Sequence, residues 1–370
     1  MTSRRRGALV AGLVALALGL AWVVTRTEGG DPTGAPPPSE ALASGASGTG
    51  DGGVAAPRRS APSAAGAGQS GLAARGEVLV DVTWGSGPSQ LGRERPQEGN
   101  PEAPMSLALT PLGDIVVLDQ VNGRLVTFSP DGEALGTMPL TQQTPQDVTV
   151  AKDGTLLVLD RLRDKTVALL DPETGALRGE LPLEGAGIPE TGGITGTFVD
   201  GDSVYVEREH GALVRIGDLS GRADPARPEL PGRPGRDGRS YLLARIIEAP
   251  AGRLFVNAID RQTGVRRYTR EYRLGFPLLY ILLLDTDRAG VIYLGVAGTL
   301  PKSPGAAPSE HGVMLLCLDA LEGKVLGQTQ LPLSTMPEET FRDFAVLDEG
   351  GVIYQYRTEA GVSLRRADCR

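Results

Sequence analysis

From about residue 104 to the C-terminus the chain passes six times through one pattern: a short apolar run, a Gly-centred turn, a second apolar run and a polar hairpin. The turn glycines are Gly113, Gly154, Gly201, Gly252, Gly290 and Gly351, followed by IVVLD, LLVLD, SVYVE, RLFVN, VIYLG and VIYQY. A unit of about 40 to 60 residues cannot bury its own flanks, so successive copies must stack on one another. The runs are almost continuously apolar rather than alternating, as strands are when covered on both faces. β-Branched runs bounded by DG, AG and EG leave no 3.6-residue stripe long enough for a packed helix. The pattern predicts an all-β fold, a six-bladed β-propeller over residues 76–370. The final repeat offers only three strands, FRDFAVLD, GVIYQYRT and GVSLRRAD, while EVLVDVTWG at residues 77–85 stands alone before the first repeat. That strand is expected to complete the last blade and close the ring.

Ahead of the repeats, residues 1–6 form a short tail carrying Arg4, Arg5 and Arg6, and residues 7–24 contain no charge. This run predicts a transmembrane signal anchor, with Trp22 at the interface and no small-x-small cleavage signal following it, since the next residues are Thr25, Arg26, Thr27 and Glu28. The arginines stay inside by the positive-inside rule, which places the remainder outside a bacterial-type inner membrane as a single-pass periplasmic protein, or a secreted one if the segment is cut. Residues 25–75 are rich in Gly, Ala, Pro and Ser and predict a disordered linker with a reach on the order of 40 Å. A formal charge of −8 excludes a general nucleic-acid role. Cys317 and Cys369 are the only cysteines. Cys317, inside GVMLLCLD, reads as a buried thiol, and the sequence leaves open whether the two pair.

A more specific text occupies residues 84–132: WGSGPSQLG, then PMSLALTPLGDIVVLDQVNGRLVTFSPDG. Trp84-Gly85, the Gln90-Leu91-Gly92 step, Asp119, Asn122, Arg124 and the Asp131-Gly132 turn resemble an NHL repeat. The second repeat keeps Asp153-Gly154, Asp160 and Lys165, and later repeats keep only the turn glycine and the apolar runs. Trp84, Asp119, Asn122 and Arg124 read as residues that hold blade geometry, with Asp119 and Arg124 able to pair across the Asn122-Gly123 turn. The resemblance implies a ring used mostly to bind proteins or polymers, with metal-dependent hydrolases and lyases as a minority of related propellers.

For chemistry, the sequence offers little. His210 and His311 lie in different repeats and make no zinc cluster. Serine catalysis leaves no G-x-S-x-G, and no catalytic residue or cofactor is expected. A calcium-dependent, lactonase-like hydrolase is the enzymatic alternative, and Asp147, Glu248 and Asp343 would be its carboxylates. Two basic stretches depart from the repeat. DLSGRADPARPELPGRPGRDGRSY, residues 218–241, carries Arg222, Arg227, Arg233, Arg236 and Arg239 and reads as a long, stiffened loop. VRRYTREYRL, residues 265–274, carries Arg266, Arg267, Arg270 and Arg273 interleaved with Tyr268 and Tyr272. Arginine forks suit carboxylate or phosphate, so these predict a docking surface for a protein or an anionic envelope polymer. The expected function is a non-enzymatic binding propeller or, alternatively, a structural scaffold of an envelope complex.

Overall fold

The computed structural model describes residues 75–302 and 307–369. The predicted anchor at 7–24 and all of the predicted linker except Arg75 lie outside the described residues. Six four-stranded antiparallel sheets follow one another along the chain. Blade 1 is β2 (Ser106–Leu109), β3 (Ile115–Asp119), β4 (Arg124–Phe128) and β5 (Ala134–Pro139). Blade 2 is β6 (Asp147–Val150), β7 (Leu156–Asp160), β8 (Thr166–Leu170) and β9 (Leu177–Pro182). Blade 3 is β10 (Ile194–Asp200), β11 (Ser203–Arg208), β12 (Leu213–Asp218) and β13 (Glu229–Leu230). Blade 4 is β14 (Arg233–Pro234), β15 (Ser240–Glu248), β16 (Arg253–Asp260) and β17 (Arg266–Arg273). Blade 5 is β18 (Leu278–Thr286), β19 (Ile292–Pro301), β20 (Pro308–Leu318) and β21 (Val325–Pro332). Blade 6 is β22 (Phe344–Val346), β23 (Val352–Thr358), β24 (Gly361–Ala367) and β1 (Glu77–Thr83). The chain is a six-bladed β-propeller, and its helix content among the described residues is limited to two single 3-10 turns.

β1 pairs antiparallel with β24, from Glu77 against Arg366 to Thr83 against Gly361, so the first and last strands of the propeller build the closing blade together. Trp84 Nε1 donates to the Thr358 carbonyl at 3.0 Å and fastens the same seam. All six turn glycines have positive φ, from 57° at Gly201 to 95° at Gly290, the conformation that a side chain resists and glycine accepts.

The fourth repeat is phased differently from the sequence expectation. In five blades the turn glycine joins the innermost strand to the second, but Gly252 joins β15 to β16, the second strand to the third. The first hairpin of blade 4 is residues 235–239, closed by Gly235 N–H to the Ser240 carbonyl at 2.8 Å, with Gly238 at φ 68°. The stretch 218–241 is therefore not one long loop. It supplies the outermost strand of blade 3 and the innermost strand and first hairpin of blade 4.

Apolar side chains fill the seams between blades. Among the described residues five apolar clusters lie between blades 1 and 2, 2 and 3, 4 and 5, 5 and 6, and 6 and 1. The seam between blades 3 and 4 is polar instead. Arg261 pairs with Asp200 and lies over the Tyr241 ring, and Arg233 lies 5.0 Å from the centre of the Phe198 ring. Cys317 on β20 and Cys369 just beyond β24 form a disulfide with Cα atoms 5.8 Å apart, which corrects the reading of Cys317 as a free buried thiol. Two strands in adjacent blades bring together thiols that are 52 positions apart in sequence.

Candidate functional site

Around the axis the inner strands carry one charged knot. Asp147 on β6 is fully buried and accepts from Ser106 Oγ at 2.6 Å, Thr197 N–H at 2.8 Å and Arg342 Nη2 at 2.9 Å. Arg342 Nη2 also donates to the Thr197 carbonyl at 2.9 Å, so four polypeptide segments from blades 6, 1, 2 and 3 meet at this pair. A buried carboxylate with three donors is a strut. A narrow space of about 90 Å³ runs beside it, bordered by Phe198, Arg233, Asp285 and Arg342.

This space shares Thr195, Arg233, Leu282, Leu284 and Phe341 with a much larger cavity of about 1020 Å³. The wall of the large cavity comes from blades 3, 4, 5 and 6. Blade 4 shapes it. β14 ends after two residues, so Leu243, Ala244, Arg245 and Ile246 of β15 border the cavity directly. Leu279 and Tyr280 of β18, both about half exposed, line the same cavity.

Most of the charged groups of the wall are bonded within the protein, while Glu209 and Arg245 are exposed and make no ion pair among the described residues. Glu207 is buried and receives Arg233 through two bonds of 2.8 and 2.9 Å, with Thr195 Oγ1 at 3.1 Å and His210 Nδ1 at 3.6 Å. Burial alone would raise the Glu207 carboxyl, but the Arg233 charge and the bonds from His210, Arg233 and Thr195 outweigh it and hold it at about 2. Glu338, also buried, accepts from Arg95 Nε at 2.7 Å, and its second oxygen has no hydrogen-bond partner. Arg357 is buried beside it, donates to the Glu338 carbonyl at 3.0 Å and leaves Nε unpartnered. Burial, and then the Asp343 charge, push the Tyr280 hydroxyl up from its ordinary value. Ser334 Oγ lies 3.3 Å from both the N–H and the carbonyl oxygen of Arg357, and no nucleophile within the described residues of this wall rests against a free base.

The three carboxylates considered for calcium sit on three different blades. Asp147 is bound by Arg342, Glu248 pairs with Arg253 at 2.8 Å, and Asp343 accepts from Thr340 and Gln355, each at 2.9 Å. They do not converge. The basic side chains are likewise dispersed. Arg227 is buried and donates to the carbonyls of Pro182, Leu183 and Glu184, and Arg233 lies in the cavity wall. Arg236 pairs with Asp285 at 3.1 Å, Arg267 with Asp260, and Arg222 with Asp218 at 2.8 Å. Arg239, Arg266 and Arg270 are exposed, Arg239 at the first hairpin of blade 4 and the other two on its outermost strand. In the NHL-like repeat, Asp119 accepts from Arg124 Nε, Asn122 Nδ2 and Gly92 N–H, each at 2.8 Å, and Arg124 also reaches the carbonyls of Gly87 and Gln90. This cluster pins the segment after β1 to blade 1.

Glu207, Glu338, Tyr280 and Arg357 were not singled out from the sequence. One signal was there: Glu207 closes the apolar run SVYVE, and an acid continuing a buried strand requires a cationic partner.

No family model matches the chain, and no curated protein matches it. Several solved structures are similar in fold. The hydrazine synthase of Kuenenia stuttgartiensis is 16% identical, over 70% of this chain and 76% of that one, with a TM-score of 0.45. A streptogramin B lyase is 10% identical, over 74% and 97%, with a TM-score of 0.42. BamB from Moraxella catarrhalis is 11% identical, over 72% and 85%, with a TM-score of 0.34. These likenesses are distant, and the activities of those proteins are not carried over to this chain.

Proposed function

We propose that this chain is a membrane-tethered binding propeller of the cell envelope, which holds a macromolecular partner in the cavity between blades 3, 4, 5 and 6. The observation that carries the reading is the cavity itself: about 1020 Å³, open, lined by apolar and polar side chains together, with the carboxylates of Glu207, Glu338 and Asp343 engaged by neighbours on the same chain. Concave sites of this size with a few fixed polar groups are where proteins take ligands. Tethering and export are supported by the arginine triplet and the uncharged run 7–24. The Cys317–Cys369 bond adds support, since structural disulfides persist in oxidising compartments. The exposed Arg239, Arg266 and Arg270 fit a secondary contact with an anionic surface. On β17 the arginines also keep an outer sheet edge from pairing with other chains.

A photo-crosslinking residue placed at Leu279 or Tyr280 in cells tests the reading against the same residue at Leu112, an exposed position in the first hairpin of blade 1. Covalent adducts of one defined size are expected from the cavity positions and none from Leu112. Equal labelling from both, or stoichiometric Ca²⁺ with ester or lactone turnover by the purified chain, would replace binding with another function.

A further inference from the structure

We propose that the inner edge of β15 accepts an extended polypeptide segment as an added strand, in the place where a longer β14 would lie. The proposal rests on the cavity being a macromolecular binding site and names its occupant.

The starting point is a mismatch of lengths. β14 has two residues and β15 has nine, whereas β2 faces β3 with four against five and β18 faces β19 with nine against ten. β14 pairs only Arg233 with Leu242 and Pro234 with Tyr241. The bond from Gly235 N–H to the Ser240 carbonyl fixes the phase: the backbone groups of Ser240 point to the inner edge. Backbone groups alternate sides along a strand. The register with β16 is unbroken from Leu242 to Ile246, so Ala244 and Ile246 turn their N–H and C=O groups the same way. Both residues border the cavity. Among the described residues no strand pairs with that edge beyond Leu242.

Blade 6 shows the alternative. Its inner strand β22 is also short, three residues against seven in β23. There the Asp343 carbonyl accepts from Gln355 N–H at 3.0 Å and Ser334 Oγ bonds both backbone groups of Arg357. The chain covers that edge with its own groups and leaves the β15 edge open. An open edge is a template for another strand.

The occupant follows from spacing. Two donors and two acceptors, repeated at about 6.8 Å along a strand, match the backbone of an extended peptide, and strand addition draws affinity from such bonds and specificity from alternate side chains. On one side of this edge Ala244 and Ile246 pack toward the apolar core of blades 4 and 5, near the exposed Leu279 and Tyr280. On the other side Arg245 is exposed and makes no ion pair among the described residues. The segment therefore alternates apolar residues with an acidic residue placed against Arg245.

A displayed library of nine-residue peptides, panned on the full-length chain, supplies the probe. Hits are then synthesised with and without N-methylation at alternate amides. The expected result is a binder that loses about tenfold or more in affinity when the amides facing β15 are methylated, the worth of one to two hydrogen bonds. Binding should also slow hydrogen exchange at Ala244 and Ile246. Ala244→Pro removes an inward N–H while sparing the ladder to β16 and should cost a similar factor. If the proline disturbs the strand, the methylated peptides decide the matter on the unaltered protein. Peptides that bind and are lost in Tyr280→Ala, yet leave both amides exchanging at the free rate, would overturn strand addition while the binding cavity stands. A library without any binder would overturn the proposal, and glycan fragments held in a Tyr280-dependent way would still uphold the cavity.

Discussion

Replacing both cysteines, as Cys317→Ala with Cys369→Ala, should lower the stability of the propeller by about 4 kcal/mol. The loop closed by the bond has a sequence separation of 52 residues. Loss of the cross-link frees about 14 cal/mol/K of chain entropy in the unfolded state for a loop of this length, which is about 4 kcal/mol at 25 °C. Both sulfurs are buried and the Cα separation of 5.8 Å lies within the usual range, so no geometric penalty offsets this. A folded body of about 300 residues unfolds with roughly 0.6 kcal/mol/K of entropy, so the melting temperature should fall by about 7 °C. Calorimetry on the full-length chain, oxidised, reduced with dithiothreitol and doubly substituted, measures it. The reduced and substituted forms should melt together, and reductant should leave the substituted form unmoved. A fall of less than about 2 °C in both would refute the reasoning, because the unfolded chain would then not be gaining the freedom assigned to it.

Glu207 gives a pH signature. Its carboxyl is held at about 2 against an ordinary 4.5, a depression that contributes about 3 kcal/mol above pH 4.5 and is lost as the pH falls toward 2. Denaturant midpoints for the Glu207→Gln variant should show a flatter pH dependence across that window than the parent, and parallel curves would argue against the assignment. Asp119→Ala leaves Arg124 without its carboxylate at a site where that side chain is 13% exposed, and urea unfolding should report a loss of about 3 kcal/mol or more. Gly361→Ala would place a methyl group 2.0 Å from the Val82 carbonyl oxygen, so β1 should detach. Limited proteolysis should then cut near Glu77–Thr83 in the variant and spare the parent.

Much of this architecture is legible in the sequence because blade packing is written as local text. A positive-φ glycine between two apolar runs identifies the first hairpin in five blades, and the unpaired strand 77–85 announces ring closure. Blade 4 misleads because Gly252 closes a genuine turn of the same appearance one hairpin late, while the true first hairpin sits among prolines and arginines. A two-residue strand containing Pro234 leaves no periodicity to detect. The cavity was invisible for a related reason: it is made by the part of an inner strand that is missing, and an absence carries no composition. The arginines of 218–241 look like a docking surface in one dimension. In three dimensions Arg227 is bonded to the end of β9 between blades 2 and 3 and Arg233 to Glu207 in the cavity wall, and the disulfide likewise depends on two blades being adjacent.

Closure by β1 sets an order of events during synthesis. Trp84 and its hydrogen-bond acceptor at Thr358 are 274 positions apart. At about 5–20 residues per second, the first strand waits on the order of tens of seconds for its partner to be made. Throughout that interval Glu77–Thr83 has no sheet to join, and the rest of the circle stays unlatched until β24 has appeared. A chain truncated just before β24 would leave β1 without a partner, so quality control that inspects this one junction would be inspecting whether the last blade had been made.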